Sequence, residues 1–195
     1  MVDVMSLSAE FLRNVVLIRH AEPLVEPNRP PAEWHLSSRG RKLSYELGTC
    51  LITRGLRRLV TSPEEKAMAT VTVVAEVLGV IIIADDRLCE VRRPWIDSNF
   101  ADAVARYLQG ERIEGWEPFE RVVSRLQDSL VSHSDAGPVG LVTHGTAMAC
   151  ILDSLDLADR AHFWSDLTMP DAWALDGEHI SRLYFTKPQS TVDLA

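Results

Sequence analysis

Two histidines each follow a short apolar run, at positions where the types of the neighbouring residues suit phosphate chemistry. The run Val15–Ile18 is followed by Arg19 and His20, and the run Val139–Val142 leads through a threonine to His144. A guanidinium can neutralise two phosphate oxygens while a neutral imidazole attacks phosphorus. Either run alone is a weak signal, because a surface Arg beside a half-buried His is an ordinary way to end a strand.

The elements that must position these histidines are strands of one sheet. Short runs of branched apolar residues are typical of strands that are buried on both faces inside a parallel sheet. Open α/β sheets bind their ligands at the carboxyl ends of the strands. The two histidines are far apart in the sequence, so only a folded sheet can place them side by side.

Other segments predict the rest of the sheet and its helices. Ser37 begins a helix whose apolar stripe includes Leu47 and Cys50, and Ser62-Pro63 reads as the N-cap and first residue of a second helix. Asp176-Gly177 lies between two apolar stretches and predicts a hairpin turn at the sheet edge. The fold that we expect is a three-layer α/β/α sandwich with a mostly parallel sheet and an antiparallel edge.

Four motifs together resemble the histidine phosphatase superfamily, the phosphoglycerate mutase-like proteins. They are Arg19-His20, the stretch TSPEEKAMAT over residues 61–70, Leu88-Cys89-Glu90 and His144-Gly145. They occur in the family's order, and the resemblance runs roughly from Val15 to Gly145. It implies the phosphoglycerate mutase-like version of the sandwich predicted above.

The resemblance implies a metal-independent phosphatase of the histidine acid phosphatase type, which hydrolyses a phosphate monoester. His20 would attack phosphorus and form a phosphohistidine, and Glu90 would protonate the leaving oxygen and then activate water. Arg19, Lys66 and His144 would hold the phosphate oxygens. No metal or other cofactor is expected, because cationic side chains supply the neutralising charge. Backbone N–H groups at Gly145 and Thr146 were further candidate donors to the anion.

The sequence departs from the family pattern at two places. Lys66 stands where the family has Arg, so it offers a positive charge but cannot bind a phosphate through two parallel N–H groups as a guanidinium does. The alternative to a phosphate ligand is a surface lysine that pairs with Glu64 or Glu65. Arg92 and Arg93 follow Glu90 in place of a common Gly-x-Trp-Glu-Gly. They would bind an acidic or ring-bearing leaving group, or else clamp a helix to the sheet.

Composition limits the class of protein. The 195 residues predict a single domain over 1–195, with 1–13 as a loosely attached leader. A net charge of −8 argues against nucleic-acid and membrane partners. Three well-separated cysteines and the lack of a signal or membrane segment favour reduced thiols, two of them in the core, in a cytoplasmic protein. The sequence does not indicate the oligomeric state.

Three other functions stay open at this point. A phosphoglycerate-type mutase would use the same site, but family mutases usually carry extra sequence between the acid and the second histidine, and only about fifty residues separate Glu90 from His144 here. A phosphohistidine or phosphoprotein phosphatase would admit a protein tail instead of a small phosphorylated molecule. A non-catalytic phosphate-binding module is the third alternative, and Lys66 is the departure that keeps it open.

Overall fold

The computed structural model describes Leu12 and residues 14–96, 98–134, 137–153, 159–177 and 179–186. Of the predicted leader over residues 1–13, only Leu12 is within this set, and its side chain is buried against the core. The rest of that prediction lies outside the described residues.

The described residues form one six-stranded mixed sheet. Its strands are β1 (Val15–Arg19), β2 (Arg58–Thr61), β3 (Ile81–Ala84), β4 (Val139–Thr143), β5 (Asp171–Asp176) and β6 (His179–Phe185). They lie in the order β3-β2-β4-β1-β5-β6. The first four strands are mutually parallel, whereas β5 runs antiparallel to both β1 and β6. The predicted mostly parallel sheet with an antiparallel edge is confirmed.

Helices cover both faces of this sheet. They are α1 (Ser38–Leu51), α2 (Glu65–Leu78), α3 (Phe100–Leu108), α4 (Phe119–Ser134), α5 (Gly145–Asp153) and α6 (Arg160–Asp166). Helices α1 and α2 pack with Ile18 on one face, and the other four pack with Leu17 on the opposite face. Adjacent residues of β1 therefore enter two different cores, as expected of a strand buried on both faces. The three-layer sandwich is confirmed.

The pairing of β1 with β4 brings the two histidines together. Their register places Arg19 beside Thr143, and the His20 N–H donates to the Thr143 carbonyl at 3.0 Å. Gly140 of β4 leaves room for the buried Leu59 side chain of β2, since a Cβ there would lie 2.5 Å from Leu59 Cδ2. The residue that follows each strand, His20 or His144, consequently lies at the same sheet edge.

Two local predictions are wrong. The second helix begins at Glu65, not at Pro63, because Glu64 has an extended backbone; the Ser62 hydroxyl accepts the Glu64 N–H at 3.2 Å just ahead of the helix. Of the three free cysteines only Cys150 is buried: Cys89 is half-buried near the strand ends, and Cys50 is exposed on α1, where its thiol donates to the Leu183 carbonyl of β6 at 3.4 Å. Among the described residues, no helix combines the length and apolar character needed to cross a bilayer.

Candidate active site

His20 lies directly after β1 and is 5% exposed. Its Nδ1 donates to the Ala21 carbonyl at 2.7 Å, so the Nε2 of the neutral ring carries the lone pair. Burial lowers the pKa of His20 well below 6.5, and the nearby His144, Lys66 and Arg19 lower it further. The ring is therefore unprotonated at neutral pH, which is the form that acts as a nucleophile.

Thr70 holds the backbone that follows the candidate nucleophile. Its hydroxyl accepts the Ala21 N–H at 2.9 Å and donates to the Lys66 carbonyl at 2.7 Å. This fixes one turn of α2 against the end of β1. Thr70 ends the motif TSPEEKAMAT, but its role could not be predicted from the sequence, because only the tertiary fold shows what its hydroxyl contacts.

His144 follows β4 and is fully buried beside His20, with ring centroids 5.0 Å apart and planes inclined at 61°. Its Nε2 lies 2.9 Å from the Ser62 hydroxyl, while its Nδ1 has no hydrogen-bond partner among the described residues. Burial lowers the pKa of His144 well below 6.5, assisted by the positive charges of Lys66 and Arg19. Ser62 therefore orients this ring rather than only capping α2.

Arg19 ends β1 and is anchored by the far end of the chain. Its Nη1 donates to the carbonyls of Leu167 at 3.0 Å and Thr168 at 3.4 Å. Its buried Nε has no partner among the described residues and can donate to an anion. Burial lowers the pKa of Arg19, and the negative charges of Glu90 and Asp171 oppose that shift.

Asp171 supports this anchor from the first position of β5. Its carboxylate is fully buried and accepts from the Thr168 N–H at 2.7 Å and from the Arg182 guanidinium, whose Nε lies 3.0 Å away. Asp171 also pairs with Arg19 in the β1–β5 register. The ion pair between Asp171 and Arg182 could not be predicted from the sequence, since no motif marks these two residues as partners.

Lys66 is buried at the site and contacts a carboxylate there. Its side chain is 7% exposed, and its Nζ donates to Glu64 Oε2 at 2.5 Å and to the Pro31 carbonyl at 2.8 Å. Lys66 lies close enough to His20 and His144 to lower their pKa values, and it pairs with Glu64 as the alternative interpretation expected; its role as a phosphate ligand stays a prediction. The expected surface position for that pair is wrong, because the first turn of α2 faces the cavity.

Glu90 caps helix α5. Its carboxylate accepts from the backbone N–H groups of Val91 at 2.9 Å, Thr146 at 3.3 Å and Ala147 at 3.0 Å. The prediction that the Thr146 N–H is free for an anion is contradicted, because Glu90 already occupies it. The interaction nevertheless places Glu90 at the same edge of the sheet as His144 and Arg19.

The two arginines after Glu90 differ. Arg92 is exposed at the rim of the cavity, whereas Arg93 is half-buried with its guanidinium 4.2 Å from the centroid of the Phe100 ring. Burial lowers the pKa of Arg93, and the charges of Glu90 and Glu64 oppose the shift. Its Nε is buried without a partner among the described residues. Arg93 thus both packs against a helix and retains a donor.

A cavity of about 750 Å³ lies at this edge of the sheet, a size suited to a small molecule. Arg19, His20, Lys66 and Glu90 lie on its wall with Glu64. The remainder of the wall includes the charged side chains of Glu22, Arg92 and Arg93 and a larger apolar part, to which Pro23, Val25, Pro30, Pro31, Trp34, Phe100, Trp164 and Met169 contribute. Within the described residues, no group of three or more His, Cys, Asp and Glu side chains is arranged to hold a metal ion.

Comparisons with known proteins agree with this geometry. The sequence matches the histidine phosphatase superfamily (branch 1) over residues 15–173. It is 24% identical over 159 residues to the Klebsiella pneumoniae protein named "Probable phosphoglycerate mutase GpmB", an alignment that covers 72% of this chain and 74% of that protein.

Solved structures share the fold. The mycobacterial glucosyl-3-phosphoglycerate phosphatase superposes with a TM-score of 0.67 at 19% identity, over 90% of this chain and 99% of that one. A phosphoglycerate mutase from Bacillus anthracis gives a TM-score of 0.62 at 16% identity, over 89% and 93% of the two chains. At these identities the likeness establishes the architecture and leaves the substrate to be argued from the site.

Proposed function

Because the chain belongs to the histidine phosphatase superfamily, we propose that it is a metal-independent phosphatase that hydrolyses a phosphate monoester through a phosphohistidine on His20. One observation supports this above the others. The Nδ1–H of His20 is held by the Ala21 carbonyl, and burial beside cations keeps the ring neutral. A neutral imidazole with a free Nε2 is the form required to attack phosphorus.

In the first step, the Nε2 of His20 forms a bond to phosphorus as the bond to the leaving oxygen breaks. Arg19 and Lys66 offset the negative charge on the equatorial oxygens, with the buried Nε of Arg19 as one available donor. Glu90 gives a proton to the leaving oxygen. In the second step Glu90 takes a proton from water, the water oxygen bonds to phosphorus, and His20 leaves as inorganic phosphate is released.

The cavity wall supports a small phosphorylated substrate whose leaving group has an apolar or ring-bearing part. Trp34 and Trp164 line the cavity, and Trp34 also contacts the exposed Trp95 with ring centroids 5.2 Å apart. Apolar walls with a few polar groups are typical of small-molecule sites. Arg93 retains one unpartnered donor for an acidic substituent.

The test is turnover of p-nitrophenyl phosphate with EDTA present. We expect activity to persist in EDTA and phosphate to be trapped on the protein in an acid-labile, base-stable form. His20→Ala is expected to lose at least about a thousandfold in turnover, as for loss of a covalent catalyst. His162→Ala, which changes an exposed histidine on α6, is the matched control and should retain activity. Full activity in His20→Ala would contradict the proposal.

A phosphoglycerate-type mutase is the second candidate, supported by the named relatives. The same site would then return the phosphoryl group from His20 to a second hydroxyl instead of to water. Incubation with 3-phosphoglycerate separates the two functions. A phosphatase releases inorganic phosphate, whereas a mutase yields the positional isomer with little free phosphate.

A further inference from the structure

Glu64 places a carboxylate among the groups that would bind phosphate. Its Oε2 lies 2.5 Å from Lys66 Nζ, and its Oε1 lies 3.5 Å from His144 Nε2. The side chain is 12% exposed and lines the cavity. The sequence alone indicates Glu64 only as a surface partner of Lys66.

Local geometry explains why this carboxylate faces the cavity. Glu64 is the residue before α2 and has an extended backbone, with φ −60° and ψ 137°. The shorter Asp and Asn side chains commonly cap a helix from this position, whereas Glu64 makes no such bond. Its Oε1 instead accepts the Glu90 N–H at 2.8 Å, which draws the side chain across towards the loop that carries Glu90.

Lys66 has only part of its donor capacity free. An ammonium has three N–H donors, and two of those of Lys66 serve the Glu64 carboxylate and the Pro31 carbonyl, which leaves one for an anion beside the charge of Glu64. A phosphate that reaches Lys66 must share it with Glu64 or displace it. Two anions on one cation also repel each other more strongly in a partly buried site than in water.

We propose that Glu64 is an internal anion that competes with the substrate phosphate for Lys66 and thereby sets the affinity of the site for phosphate. This rests on the proposed function, because it takes Lys66 as a phosphate ligand. It predicts weak binding of free phosphate, so that most of the substrate's affinity must come from its leaving group. Glu64 is then a specificity-determining residue that disfavours substrates with little besides a phosphate.

The experiment compares Glu64→Gln with wild type. Glutamine keeps an oxygen that can accept the Glu90 N–H, while it removes the negative charge and replaces the acceptor that faces Lys66 by an N–H donor. The dissociation constant of inorganic phosphate is measured by isothermal titration calorimetry, and its inhibition constant is measured with p-nitrophenyl phosphate. We expect Glu64→Gln to bind phosphate at least about 10-fold more tightly, the effect of freeing one charge-assisted contact.

Two further variants assign the effect to the pair. Glu65→Gln removes the neighbouring charge, which lies half-exposed beside His35, and should leave phosphate affinity unchanged. In a Lys66→Met background, Glu64→Gln should change phosphate affinity by less than about threefold, because the cation for which the two anions compete is gone.

Several outcomes would overturn the proposal. Unchanged or weaker phosphate binding in Glu64→Gln would do so, and so would phosphate binding to neither protein. A large loss of kcat with an unchanged phosphate constant would identify Glu64 as a proton donor instead. The calorimetric measurement needs no turnover. If Glu64→Gln bound phosphate more tightly than wild type but neither protein hydrolysed a monoester, the proposed function would be refuted and this inference would stand.

Discussion

The substitution Gly145→Ala adds one methyl group against the guanidinium of Arg19. A Cβ at position 145 would lie 3.0 Å from Arg19 Cζ and 3.1 Å from both Nε and Nη2. The guanidinium is restrained on another side by the carbonyls of Leu167 and Thr168. It would have to move by a few tenths of an ångström, and its unpartnered Nε–H, which the proposed function assigns to the substrate phosphate, would move with it.

The size of the effect follows from this displacement. A misplacement of about 1 Å can cost about a hundredfold in rate, so a few tenths of an ångström should lower kcat/KM by roughly 5- to 10-fold. Helix stability would change little, since Ala is favoured over Gly in a helix by about 0.5–1 kcal/mol, which offsets some of the crowding.

The assay is kcat/KM for p-nitrophenyl phosphate together with the inhibition constant of phosphate. Gly48→Ala is the matched control, because its Cβ would meet the Val77 side chain at 3.0–3.2 Å where α1 packs on α2, away from the cavity. Both variants add the same methyl group at a similar distance, and only Gly145→Ala should reduce kcat/KM. Unchanged kcat/KM and phosphate inhibition in Gly145→Ala would refute the role given to Arg19.

Two predictions concern stability. Burial keeps the pKa values of His20 and His144 well below 6.5 in the folded protein. As the pH falls below 6.5, the unfolded chain therefore binds more protons than the folded protein does. The free energy of unfolding should then fall by up to about 2.7 kcal/mol per pH unit, because two histidines contribute. Urea titrations from pH 7.5 to pH 5 measure this slope, and a flat profile would contradict it. Asp171→Asn leaves Arg182 without its buried partner and should lower the free energy of unfolding by about 3 kcal/mol. Asp166→Asn, on the exposed side of the same arginine, should cost less than about 1 kcal/mol, and equal losses would show that burial does not matter.

The sequence predicted the sheet and the two central histidines because both depend on local patterns. Apolar runs such as Val15–Ile18 mark buried strands, and the strand-end rule places His20 and His144 together without knowledge of any side-chain contact. Asp176-Gly177 marks the hairpin in the same way, and the structure turns there with Gly177 at φ 63°.

The contacts that tune the site could not be predicted, because they join distant segments. Ser62 has the sequence of a helix cap, yet its hydroxyl lies against His144, 82 residues away. Thr70 contacts Ala21 across 49 residues. The sequence suggests Glu64 as a surface partner of Lys66, but the packing of α2 turns that end of the helix towards the cavity. Side-chain direction at such positions is decided by tertiary packing, which local propensity does not encode.

The anchoring of Arg19 depends on residues that are synthesised much later than Arg19 itself. Its two carbonyl partners are 148 and 149 residues further along the chain. A ribosome adding about 5–20 residues per second needs roughly 7 to 30 s to supply that length. Throughout that interval the nascent chain already contains His20, but it lacks the two carbonyls that accept from the Arg19 guanidinium. A partly made chain therefore cannot anchor Arg19 beside His20, and under the proposed function we expect it to have no activity until the segment that contains Leu167 and Thr168 has been made.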